Sequence, residues 1–65
     1  MGMDATRSTP SVVVVEDDRA IAAYLADNLA ADGFAVTSAR GAGEALRAIE
    51  VRGPDLVLLL SLIHI

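Results

Sequence analysis

The stretch Val12-Val13-Val14-Val15-Glu16-Asp17-Asp18 sets four β-branched residues against three acids. Four residues are too few for a helix. With no alternation of apolar and polar positions, both faces of the run must be covered, which is the pattern of an inner strand in a parallel sheet. The acids end that strand, giving a first strand over 12–16. Asp18 is placed to cap a helix, because its carboxylate can accept the first orphan N–H groups. Behind it Ile21, Leu25 and Leu29 recur at i, i+4, i+8 with Ala22, Ala26 and Ala30 beside them, so a helix is predicted over 19–32. Asp32-Gly33 closes it, since glycine takes the left-handed conformation without penalty.

Further along, residues 34–38 (Phe34 to Ser38) alternate weakly and are more polar, as an edge strand tolerates. Gly41 and Gly43 interrupt the chain. A second helix follows over 42–52, with Ala42, Ala45, Leu46 and Ile49 on one face, until Gly53-Pro54 stops it. Asp55 then leads into Leu56-Val57-Leu58-Leu59-Leu60, a third strand over 55–60 whose unbroken apolar run predicts cover on both faces. The order β-α-β-α-β specifies the α/β class with right-handed crossovers. Placing the most apolar strands beside each other gives the sheet order 2-1-3. The two crossovers then run in opposite directions and put the helices on opposite faces. Ligands of such sheets bind beyond the carboxyl ends of the strands where the winding reverses, and Glu16 and Asp17 fall there.

Composition narrows what the site can do. The chain has 65 residues, 5 Arg, no Lys, 9 acids, one His and no Cys, so it makes at most one domain without disulfides, thiol chemistry or most zinc sites. A net charge of −4 argues against binding nucleic acid, whose phosphates demand clustered cations. At 54% hydrophobic residues the chain is too apolar to be disordered throughout. Residues 1–11 are polar and carry no apolar signal region, so they are expected to form a disordered leader and the chain to be cytoplasmic. Residues 56–65 fall short of the ~20 apolar positions a membrane span needs, and no membrane association is expected.

Three successive acids at the end of a buried strand repel one another and call for a cation. Mg²⁺ suits them, because it is held by one or two carboxylates together with phosphate oxygens and water. Glu16 and Asp17 are the expected ligands and Asp18 the helix cap. The competing reading makes all three solvated acids that favour the helix dipole, and the residues alone leave both open. A dinucleotide site is excluded, since acids stand where a phosphate cradle needs glycine and backbone N–H groups. His64, without a partner acid nearby, is read as incidental.

The run Val12 to Asp18, the amphipathic helix, Asp32-Gly33-Phe34, Gly43-Glu44-Ala45-Leu46 and Pro54-Asp55-Leu56-Val57-Leu58-Leu59 together resemble the N-terminal half of a bacterial two-component response-regulator receiver domain, over residues 12–59. The resemblance implies a partial flavodoxin-like, doubly wound sheet. It also implies an acidic pair, Glu16 and Asp17, that holds Mg²⁺ as cofactor, and an aspartate ending the third strand that takes a phosphoryl group from a sensor histidine kinase. The parent phosphorelay protein would pass that change to an output domain, often a DNA-binding one. The implied phosphoacceptor position holds Leu60, which offers neither nucleophile nor metal ligand. No catalytic residue is therefore expected and the chain is read as an inactive fragment, not an enzyme. The alternative is a phosphorylation-independent pseudo-receiver that binds partners through its helices. A Mg²⁺-dependent phosphatase fits poorly, because Arg19 follows the acids where a second spaced acid is needed.

Residues 60–65 (LSLIHI) depart from the Ala, Arg, Gly and acid bias of the preceding chain and resemble the translation of a transposon-end sequencing adapter. They are read as a non-native tail. With one helix per face and a bare apolar third strand, the chain is expected to be marginally stable and inclined to pair through that edge.

Overall fold

The computed structural model describes residues 9–60, and the elements follow the predicted order: β1 (Ser11–Val15), α1 (Arg19–Ala31), β2 (Ala35–Ala39), α2 (Ala42–Arg52) and β3 (Leu56–Leu59). The protein is an α/β fold whose three parallel strands are ordered β2-β1-β3. β1 pairs with both neighbours, with Val12 opposite Val36 and Leu56, and Val15 opposite Ala39 and Leu59.

The four valines of β1 are the core. Val12, Val13, Val14 and Val15 are essentially inaccessible, and no larger side chain among the described residues is fully buried. Alternation sends Val13 and Val15 to one face, where they cluster with Ala39, Ala45 and the partly buried Ala48. Val12 and Val14 point to the other face. Both helices pack on β1 and β2 but not on each other, so α1 must cover this second pair. The opposite-face winding expected from right-handed crossovers follows. Neither helix reaches β3.

Several boundaries shift by one residue for identifiable reasons. Ser11, assigned to the leader from sequence, belongs to β1, and its N–H donates to Asp55 Oδ2 at 2.8 Å. Asp55 N–H in turn donates to the Ser11 carbonyl at 3.0 Å. This two-way clip ties the entry of β3 to the start of β1. Helix α1 ends in a Schellman motif: Gly33, at φ 99°, donates to the Ala30 carbonyl at 3.0 Å and Phe34 donates to Leu29 at 3.1 Å. Phe34 is used by this turn, so β2 begins at Ala35 instead of residue 34.

Helix α2 is capped differently at its two ends. Gly41 has no side chain to offer, and Glu44 Oε1 instead accepts the Arg40 N–H at 3.0 Å. At the other end Gly53 adopts the left-handed conformation (φ 56°, ψ 58°) and donates to the Ile49 carbonyl at 2.9 Å. The helix's buried face differs from the predicted one. Ala45 is buried and Ala48 packs on the core, whereas Leu46 remains 62% exposed. Small residues allow close approach to the sheet, and the long side chains flank the contact.

β3 lacks the two-sided cover that its apolar run calls for and is the bare third strand expected where each face carries one helix. Leu56, Val57, Leu59 and Leu60 are all exposed, Leu59 by 60%, because no described element lies over them. The expected disordered leader falls largely outside the described residues, as do positions 61–65 of the expected tail; Leu60 itself is described. No helix among the described residues is long and apolar enough to cross a membrane.

Candidate functional site

The carboxyl ends of β1 and β3 lie side by side. Leu60 N–H donates to the Val15 carbonyl at 3.2 Å, carrying the ladder one step past Val15 and Leu59. On β1's other side Glu16 N–H donates to the Ala39 carbonyl at 2.9 Å. The backbone register thus brings position 60 alongside Glu16 at the point where the winding reverses. Since residues 12, 14 and 16 alternate with 13 and 15, and Leu56, Leu58 and Leu60 match them across the ladder, Glu16 and Leu60 belong to the same face.

The three acids have different surroundings. Glu16 is 7% exposed, the one charged residue in the core among the described residues, and its Oε2 accepts the Asp18 N–H at 3.0 Å. Burying a carboxylate is tolerable only when it is hydrogen-bonded, and this bond to its own turn meets that need. Asp18 is exposed and caps α1 as predicted, with Oδ1 accepting from Ala20 at 2.9 Å and Ile21 at 3.1 Å. Asp17, between them, is exposed at the rim. The turn therefore gives Glu16 and Asp18 structural duties that the sequence assigned to Asp18 alone. The Glu16 bond was not foreseen, and the signal for it was available: a carboxylate two residues before a helix cap can close onto the cap's own N–H.

Whether these residues fit Mg²⁺ turns on the donor set. Glu16 and Asp17 supply two carboxylates at the strand end, within the range by which proteins hold Mg²⁺. The facing position is Leu60, which has no oxygen to add, and no group of three or more His, Cys, Asp or Glu residues gathers among the described residues. The pair can take part in a metal site completed by outside oxygen ligands. It does not build one by itself.

The chain matches no protein-family profile, no curated protein and no solved structure.

Proposed function

We propose that this chain is the N-terminal half of a receiver domain from a cytoplasmic two-component phosphorelay, inactive as it stands. The observation that carries the reading is the register at the strand ends, which sets Glu16 beside position 60 as a receiver requires of its acidic pair and its phosphoacceptor. In the parent, Glu16 and Asp17 would hold Mg²⁺, which when bound would supply charge neutralisation for an incoming phosphoryl group. An aspartate at position 60 takes that group from a sensor histidine kinase, and an output domain responds. Leu60 breaks the sequence of events at its acceptor, so this chain performs no catalysis.

Restoring the carboxylate tests the proposal. The Leu60→Asp variant should show amide shifts with Mg²⁺, and broadening with Mn²⁺, centred on residues 16, 17 and 60. Incubation with Mg²⁺ and a small acyl phosphate should add one phosphoryl mass to the variant and none to the unsubstituted chain. Absence of metal effects at 16 and 17 in both proteins would sink the reading. Genomic reads through codons 60–65 check the foreign tail: continuous coverage would show the tail to be encoded.

Leu60 also favours a second reading, a pseudo-receiver that works without phosphorylation. If codon 60 is genuinely leucine in the genome, this reading displaces the first.

A further inference from the structure

The turn between α1 and β2 carries a chemically labile pair that the site after β1 does not use. Asp32-Gly33 is the one place in the chain where Asp or Asn precedes glycine. In such a pair the backbone nitrogen of the glycine can attack the side-chain carboxyl carbon of the aspartate, because the glycine has no Cβ to hinder the approach. A C–N bond forms, water leaves and a five-membered succinimide results. Water then adds back at either ring carbonyl. When it breaks the bond from nitrogen to the main-chain carbonyl, the backbone is left running through the former side chain as isoaspartate, with one extra methylene in the main chain and no change in mass.

Both residues are exposed, and nothing lies within 4 Å of where a Cβ on Gly33 would stand, so neither burial nor crowding protects the pair. The restraint is conformational. Ring closure needs Gly33 N to eclipse Asp32 Cβ about the Cα–C bond, whereas at the observed ψ of 3° it eclipses the nitrogen of Asp32 itself. Turning that bond carries Gly33 away from the Ala30 carbonyl that accepts its N–H at 3.0 Å, and Phe34 away from the Leu29 carbonyl that accepts its N–H at 3.1 Å. The bond to Ala30 also holds the proton on the nitrogen that must lose it. We infer that Asp32-Gly33 is an isomerisation site gated by the Schellman turn, reacting only during the fraction of time that the end of α1 is open. Reclosing does not undo the step. The added methylene displaces Gly33 from its left-handed corner, so the two closing bonds of the turn are lost. β2, whose pairing with β1 starts at Ala35, then loses its fixed entry. Each opening that ends in reaction removes one chain from the fully folded population. This inference is independent of the phosphoryl reading and concerns the opposite side of the sheet from β3.

Ageing the 65-residue chain in neutral buffer, beside the same chain unfolded in guanidinium chloride, tests it. Isoaspartate is counted after digestion, from the separation of the two isomeric peptides that span residues 32 and 33. The expected result is product at Asp32 in the unfolded sample and formation slower by ~10-fold or more in buffer, with amide exchange at Gly33 and Phe34 slowed by a similar factor because one opening frees both. Asp32→Glu should abolish the product, since its ring would have to be six-membered. The purified isoaspartate chain should unfold at a lower denaturant concentration than the unmodified chain. Equal rates in buffer and denaturant, slow isomerisation beside unprotected Gly33 and Phe34 amides, product that survives Asp32→Glu, or an unchanged midpoint after isomerisation would each overturn the proposal.

Discussion

Asp18 shows how much one carboxylate does at the turn after β1. It accepts two helix N–H groups, and its own N–H is held by the buried Glu16 carboxylate. Asp18→Ala should cost about 1 kcal/mol of stability, and Asp18→Asn only a few tenths, because the amide oxygen caps nearly as well. Urea titration of the two variants side by side checks the difference. Gly53 is a second position where one residue type is required. Its left-handed conformation is open in space, with nothing near a Cβ built there, so Gly53→Ala tests backbone strain without steric interference. The expected loss is about 1 kcal/mol, the left-handed penalty of an L-residue. An unchanged midpoint would mean that the C-terminal turn of α2 relaxes to another conformation.

Among the elements, β1 and β3 have nearly the same apolar composition and opposite surroundings. Val14 is completely buried, whereas Leu59 is mostly exposed. Removing two methyl groups with Val14→Ala should cost roughly 2 kcal/mol, including the cavity it leaves, while Leu59→Ala should cost well under about 0.5 kcal/mol in the monomer. Comparable losses at the two sites would show that β3 is covered in solution. This contrast also marks what was legible from sequence. The run Val12–Val15 announced an inner strand because nothing polar interrupts it, and the 2-1-3 order followed from ranking three strands by apolarity. The run Leu56–Leu60 announced the same environment and did not receive it, since hydrophobicity records what a segment needs and not which neighbour supplies it. In α2 the apolar stripe was visible, but its buried centre lies on Ala45 and Ala48 instead of Leu46. Periodicity gives the stripe, and the distance of approach decides which residues reach the sheet. At the site, Asp18's cap was readable from its position before an apolar-periodic run. The Glu16 bond to Asp18 and the Asp55 clip to Ser11 depend on turn closure and strand register, which spacing alone does not report.

At the scale of the whole molecule the core is thin. Among the described residues, four valines and three alanines, Ala22, Ala39 and Ala45, make up its buried apolar residues. A chain of this size buries a smaller fraction of its surface than larger domains do, and no disulfide compensates. The isolated chain is therefore marginal, and whatever binds its folded form raises its stability by mass action. Urea unfolding followed by circular dichroism should therefore show a low midpoint and a shallow transition. Superimposable, cooperative curves for the unsubstituted chain across a hundredfold concentration range would mean that this thin core suffices alone. A midpoint that climbs with chain concentration would instead mean that copies stabilise one another, with the exposed apolar side chains Leu59, Leu46 and Tyr24 the first positions to substitute.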